Sequence, residues 1–139
     1  MKVYFAHPHR TIGTAEEKVL IREMEKRGWE VINPFENNPG EEIMGRIKRG
    51  AFSIFDAIEL VQHDFASIGI CTAVLVWLPN KVSTVGTICE LVQAVKLRKA
   101  TIVIHQTDRG RPHPWAAYYA NQYYLTVQDF IDRKVVALV

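Results

Sequence analysis

Short apolar runs alternate along this chain with longer segments whose apolar residues recur at helical spacing. The runs predict five strands, at residues 3–6, 29–32, 73–78, 101–104 and 123–125. The helical spacing predicts helices at 15–27, at about 41–63 with a break near Gly50, and from 86 or 87 to 99. A helical turn at 115–119 and a short helix at 127–132 complete the prediction, and residues 37–40 are expected to form a loop.

Strands that are nearly all apolar and alternate with helices are typical of a parallel sheet covered on both faces. Right-handed crossovers turn such a sheet into a doubly wound, Rossmann-like open sheet. We therefore expect one α/β domain over residues 1–139 with about five mostly parallel strands. Ligands bind these sheets beyond the carboxyl ends of the strands, so residues 6–10, 33–36, 78–90 and 105 onward should meet there.

The first helix has clear start and stop signals. Thr14 and Glu17 have the spacing of a capping box, and Gly28 is a typical residue after a helix end. Its periodicity predicts that the core-facing residues are Val19, Leu20, Ile21 and Met24.

Composition narrows the possible partners. The 139 residues are 48% hydrophobic and 23% charged, and the net charge of +2 does not predict binding to a nucleic-acid polymer or a membrane. The basic groups at 46–49 and 96–99 fall at predicted helix ends, where cations complement the helix dipole. Because the chain has no signal-peptide pattern and no apolar run of transmembrane length, we expect a cytoplasmic protein.

The two cysteines do not form a metal-binding pattern. Cys71 and Cys89 stand apart in apolar surroundings, so we expect two buried free thiols.

Residues 83–90 are the most informative segment of the chain. The hydroxyl residues Ser83 and Thr84, followed by Gly86, open a predicted helix that carries Glu90. A helix N-terminus presents unpaired N–H groups that suit a phosphate, and a carboxylate held beside it can act as a nucleophile. In the alternative interpretation, Thr87 and Glu90 form a capping box, and the two hydroxyl residues belong to a turn.

In the order and spacing of its strands and of the segment 83–90, the chain resembles the nucleoside 2-deoxyribosyltransferase family. The matching segments are residues 3–6, 73–79, 86–91 and 99–102, together with Ala94. Relatives in the same superfamily hydrolyse the N-glycosidic bond of 2′-deoxynucleoside 5′-monophosphates.

The resemblance implies a covalent mechanism. Glu90 would attack C1′ of the deoxyribose and displace the base, and a second base or water would resolve the intermediate. Tyr4, in the first strand, would orient Glu90. The family implies a small-molecule nucleoside or nucleotide substrate, no metal or redox cofactor, and a homodimer or higher homo-oligomer.

The chain departs from the family at positions where transferases often carry aspartate. Cys71 and Thr72 precede the third strand, and Thr84 lies six residues before Glu90. Asp64 is the nearest alternative carboxylate for proton transfer. The hydroxyls ahead of Gly86 favour a nucleotide with a 5′-phosphate.

Other candidate substrate-binding residues lie in the loops at the expected ligand-binding edge. They are Ala6, His7 and Arg10 after the first strand, and Asn33 and Phe35 after the second. The alternatives are a solvated loop, a turn with a buried Phe35, or a metal pair formed by His7 and His9, for which no third ligand follows.

The segment 115–124 is rich in aromatic residues, which are enriched at subunit interfaces, so it predicts such an interface. Binding to nucleic acid is disfavoured because almost no lysine or arginine lies among these aromatic residues. By the resemblance, Asn121 falls near a position that completes the neighbouring subunit's active site.

Two other functions stay open. A nucleotide-binding domain of the same fold can lack catalysis altogether. Cleavage of another N-ribosyl compound, such as a dinucleotide, is disfavoured because no G-x-G-x-x-G follows the first strand.

Overall fold

A computed structural model of the protein describes residues 1–36 and 39–137, which form five strands and six α-helices. In chain order these are β1 (Lys2–Ala6), α1 (Ala15–Lys26), β2 (Glu30–Ile32), α2 (Pro39–Lys48), α3 (Ile54–Ile70), β3 (Ala73–Leu78), α4 (Val85–Lys96), β4 (Ala100–His105), α5 (Pro114–Tyr118), β5 (Gln122–Tyr124) and α6 (Val127–Ile131). A short 3-10 helix (His9–Thr11) follows β1.

The five strands form one sheet in the order β2-β1-β3-β4-β5, and all neighbouring strands are parallel. Tyr4 in β1 pairs with Ile32 of β2 on one side and with Val74 of β3 on the other. After β1 the chain adds β2 on one side of it, and then crosses to add β3, β4 and β5 on the other side. The strand order therefore reverses direction between β1 and β3. The α/β doubly wound fold class is therefore confirmed.

Side chains alternate between the two faces of the sheet, and different helices cover each face. Val3 and Phe5 pack on the face that α1 and α6 cover, whereas Tyr4 and Ala6 pack on the face that α3 and α4 cover. The catalytic candidate Tyr4 therefore lies beneath α3 and α4.

Residues at the helix ends explain where α1 begins and ends, where α2 ends and where α3 begins. The Thr14 hydroxyl accepts the N–H of Glu17, and Gly28 follows α1 with a φ of +78°. The predicted break near Gly50 is confirmed, because this residue follows α2 with a φ of +71°. α3 then begins with a capping box between Ser53 and Asp56, which the sequence analysis did not predict.

Two helix boundaries differ from the predictions. α3 does not end near His63 but continues to Ile70, because its helical pattern has no glycine or proline stop before Gly69. Pro39 and Gly40 belong to α2 and not to a loop; the other two residues of that predicted loop, 37–38, lie outside the described residues.

Some predicted core positions were wrong. Leu20 and Met24 are fully buried, but Val19 is 39% exposed, because the buried stripe of α1 is narrower than the apolar stripe of its sequence. In α4, the apolar residues Ile88, Leu91, Val92 and Val95 follow helical spacing. Leu91 is buried with Ala94, whereas Ile88 and Val95 are exposed.

The prediction of two buried thiols was also only half right. Cys71 is buried at the end of α3, but Cys89 is exposed on α4 because it lies off the Leu91–Ala94 face. Within residues 1–36 and 39–137, the helices lack the length and apolar content that crossing a membrane requires.

The faces of α1 generate a stability prediction. Replacing Leu20 with Ala should lower the free energy of unfolding by about 2–4 kcal/mol, because it opens a cavity beneath a fully buried side chain. Val19→Ala is the matched control, and its cost should stay below about 1 kcal/mol. Urea unfolding of both variants measures the difference, and equal costs would contradict this orientation of α1.

Candidate active site

Tyr4 and Glu90 meet beneath α4. The buried Tyr4 hydroxyl donates a hydrogen bond of 2.7 Å to Oε1 of the Glu90 carboxylate. α4 begins at Val85, slightly earlier than predicted, and Thr84 is its N-cap residue. Glu90 therefore lies beyond the first turn and cannot form the alternative capping box with Thr87. Its carboxylate instead reaches toward β1.

Asp64 is the third member of this cluster. Because α3 continues past His63, Asp64 lies on a helix that packs over β1, and its side chain is 15% exposed. Burial raises the pKa of the Tyr4 hydroxyl, and the negative charges of Glu90 and Asp64 raise it further. His63 Nδ1 lies 3.4 Å from Asp64 Oδ1.

The cluster favours protonated carboxyl groups. Burial raises the pKa of Glu90 to about 8; the charge of Asp64 adds to this shift, and the Tyr4 hydrogen bond partly opposes it. Burial also raises the pKa of Asp64, while contacts with His63 and Tyr4 lower it. The two carboxyl groups interact, so they titrate as a coupled pair. At neutral pH this pair tends to hold at least one proton.

The start of α4 leaves polar groups open beside the cluster. Thr84 makes no side-chain capping bond, although it occupies the N-cap position. Ser83 and Gly86 are exposed, and a Cβ added to Gly86 would meet no atom within 4 Å. The first N–H groups of a helix have no partner within the helix. This end of α4 can therefore accept an anion without rearrangement of Gly86.

His7 is held inside the protein. Its Nδ1 lies 2.9 Å from the Phe5 carbonyl oxygen and its Nε2 lies 2.7 Å from Glu17 Oε2. Only a doubly protonated ring donates to both oxygens, yet burial lowers the pKa of His7. Glu17 also accepts the Gly13 N–H. These contacts favour a role for His7 in fixing the loop after β1 over direct contact with a substrate.

The other rim candidates are placed differently. Ala6 is fully buried in the sheet, and its role in substrate binding stays a prediction. The Phe35 ring packs edge-on against the rings of His7 and His9, and Asn33 Oδ1 accepts the Phe35 N–H. The loop after β2 is thus packed against the loop after β1.

Asn121 lies away from this cluster within the chain. Its Oδ1 accepts the backbone N–H of Thr101, at the start of β4, and Asn121 itself precedes β5. It therefore lies at the amino-terminal edge of the sheet, opposite the site. Its predicted role in a neighbouring subunit stays a prediction.

A cavity of about 710 Å³ lies between the loop after β1, the C-terminal half of α2 and the loop before α4. Arg10 and Ser83, both predicted site residues, line it. The sequence analysis missed Met44, Lys48 and Val82, which line it as well. The basic residues at 46–49 could have indicated this cavity. The sequence analysis attributed them to the helix dipole instead, because they lie at a predicted helix end.

Within the described part of the chain, no three His, Cys, Asp or Glu side chains are grouped as a metal site.

Comparisons with known proteins identify the fold. No protein-family model matches the chain, and no curated protein matches it. Among solved structures, a 2-deoxyribosyltransferase from Bacillus psychrosaccharolyticus matches with a TM-score of 0.68 at 16% identity, covering 95% of this chain and 91% of that one.

A CMP N-glycosidase, BcmB, from Clostridium botulinum matches with a TM-score of 0.61 at 19% identity, covering 96% of this chain and 97% of that one. A conserved protein from Enterococcus faecalis V583 matches with a TM-score of 0.57 at 13% identity, covering 96% of this chain and 87% of that one. The predicted resemblance is confirmed at the level of the fold: this chain has the fold of a 2-deoxyribosyltransferase and a CMP N-glycosidase.

Proposed function

We propose that this protein is an enzyme that cleaves or exchanges the N-glycosidic bond of a 2′-deoxynucleoside or its 5′-monophosphate. The observation that carries the proposal is the cluster of Tyr4, Asp64 and Glu90, in which the Tyr4 hydroxyl donates to Glu90 and burial raises the pKa of both carboxyl groups. The similarity to a deoxyribosyltransferase and an N-glycosidase supports the reaction class.

In the first step, Glu90 acts as the nucleophile. The hydrogen bond from Tyr4 to Oε1 holds the carboxylate and leaves Oε2 to attack C1′. The bond from C1′ to the base nitrogen breaks, and the base leaves with that electron pair. Asp64, whose pKa is raised by burial, supplies the proton that the base takes up.

In the second step, the glycosyl ester is resolved. Asp64, now ionised, accepts a proton from water or from a second base as that molecule attacks C1′. The bond between C1′ and the Glu90 oxygen breaks, and the carboxylate is regenerated. Water gives hydrolysis, and a second base gives transfer. Two displacements at C1′ retain the configuration of the sugar.

The start of α4 supplies binding for a 5′-phosphate. The hydroxyls of Ser83 and Thr84 and the open position at Gly86 lie at the positive end of the α4 dipole. A phosphate held there would fix the sugar relative to Glu90, farther along the same helix.

The raised pKa of Glu90 supports a second candidate function. With a pKa of about 8, only about a tenth of the Glu90 carboxyl groups are ionised at pH 7. A protein that binds nucleotides without catalysis does not need this carboxylate in its ionised form. The non-catalytic nucleotide-binding domain is therefore the alternative that this observation favours.

Base release from a panel of 2′-deoxynucleosides and their monophosphates, with and without a second base, tests the proposal. We expect Glu90→Gln to lower the rate by at least roughly a thousandfold, because an amide is not a nucleophile. Tyr4→Phe should leave measurable activity, since the nucleophile remains. Glu25→Gln, an exposed position on α1, is the control.

Full base release by Glu90→Gln would exclude the covalent mechanism. Nucleotide binding by calorimetry, with no turnover by the wild-type protein, would establish the non-catalytic alternative.

The protonation of Glu90 also predicts how stability depends on pH. Its pKa is about 8 in the folded protein against 4.5 for a free glutamate, so the folded state binds the proton more tightly. The stabilisation that the protonated Glu90 gives to the folded state is complete below pH 4.5 and is lost as pH rises to about 8. A glutamine side chain at this position does not titrate, so only the wild type loses this stabilisation. The unfolding free energy of Glu90→Gln minus that of the wild type should therefore increase by roughly 3–5 kcal/mol as pH rises across this range.

Urea unfolding at several pH values measures this difference. Glu25→Gln, at an exposed position on α1, is the control. A difference between Glu90→Gln and wild type that does not change with pH would contradict the raised pKa.

A further inference from the structure

A second cavity, of about 450 Å³, lies between α4, α5 and the carboxyl ends of β3 and β4. Ile88 and Val92 line it from α4, and each of them is two residues from Glu90. Residues two apart on a helix point in nearly opposite directions. Because Glu90 is directed toward Tyr4, this cavity lies on the other side of α4 and is separate from the proposed active site.

Two histidines at the ends of one loop meet at this cavity. His105 ends β4, His113 precedes α5, and their ring centroids are 6.1 Å apart. Both line the cavity together with the aromatic side chains of Trp115 and Tyr119, and the other lining residues are apolar. Apolar walls with a few polar groups, at this volume, are typical of a site for a small molecule.

The hydroxyl of Tyr123 determines which nitrogen of His105 carries a proton. This hydroxyl lies 2.9 Å from His105 Nδ1 and accepts the backbone N–H of His113 at 3.2 Å. Tyr123 is fully buried, so its own O–H needs an acceptor, and Nδ1 is the acceptor that it contacts. The neutral imidazole then carries its proton on Nε2. Burial and the charge of His113 both lower the pKa of His105, which also favours the neutral ring.

The Nε2–H of His105 is left as a donor for a ligand. Within residues 1–36 and 39–137, the hydrogen bond to Tyr123 is the only one that the His105 ring makes. None of the described residues around the cavity carries a carboxylate, an ammonium or a guanidinium group. A charged ligand would therefore lose its hydration without gaining one of these counter-ions. The walls and the donor fit a flat, uncharged ring that offers a hydrogen-bond acceptor.

We propose that this cavity binds an uncharged heteroaromatic ring, in the size class of a nucleobase, which accepts a hydrogen bond from His105 Nε2 and stacks on Trp115. Binding would cover apolar side chains that are now in solvent, since Trp115 is 71% exposed and Ile88 is 44% exposed. This second site goes beyond the proposed function and does not depend on it.

Calorimetric titration of benzimidazole and indole, two rings of nearly the same size and shape, tests the role of His105. At slightly alkaline pH both rings are uncharged. Benzimidazole has a ring nitrogen that accepts a hydrogen bond, whereas indole has none. We expect indole to bind at least about tenfold more weakly, because it would bury the Nε2–H without an acceptor. Equal affinities would overturn this role.

Variants at exposed positions locate the site. Trp115→Ala removes one wall and Ile88→Trp fills the cavity, so each should lower the affinity for benzimidazole at least about tenfold. Val95→Trp, at an exposed position on α4 that does not line this cavity, is the matched control and should bind as the wild type does. All three substitutions are at exposed side chains, where folding tolerates change.

Three outcomes would overturn the proposal. They are no binding of benzimidazole to the wild type, unchanged affinity in both Trp115→Ala and Ile88→Trp, and equal losses in Ile88→Trp and Val95→Trp. Because the titrations need no turnover, they give the same answer whether or not any substrate releases its base.

Discussion

The hydrogen bond between Tyr4 and Glu90 joins the central strand of the sheet to the helix that covers it. Tyr4 is fully buried, so its hydroxyl needs a partner, and the Glu90 carboxylate supplies the acceptor. This one contact holds the Glu90 carboxyl group against the central strand and fixes the position of its Oε1. Asp64 lies near Tyr4 and Glu90 because it is on α3, which packs on the same face of the sheet as α4.

That arrangement works against stability when Glu90 is ionised. Burial and the neighbouring Asp64 both oppose a negative charge on Glu90, and the Tyr4 hydrogen bond offsets only part of this cost. A fold that needed only a helix-start acid could place it in solvent at the first turn. The carboxyl lies instead where its charge is disfavoured, as expected at a functional site.

Much of the fold was predictable because β-strand and helix periodicity act locally. The apolar runs located the strands, and Thr14 and Gly28 marked the ends of α1. What failed depended on tertiary contacts: Val19 is exposed because α1 buries only a narrow stripe. Within the site, the residues alone indicated Glu90 weakly, and its link to Tyr4 came from the family resemblance. The proximity of Asp64 required the packing of α3, which periodicity does not reveal.

Charge is divided across the site in a way that fits one substrate orientation. Asp64 and Glu90 extend from α3 and α4 toward Tyr4, whereas Arg10 and Lys48 line the cavity between the loop after β1, α2 and the loop before α4. An anion next to the carboxyl pair would raise their pKa values further, so a phosphate is favoured on the cationic side. In the proposed reaction, a phosphate on that side would leave C1′ and the base to reach Asp64 and Glu90. The separation of charges therefore supports the proposed reaction of a nucleoside 5′-monophosphate.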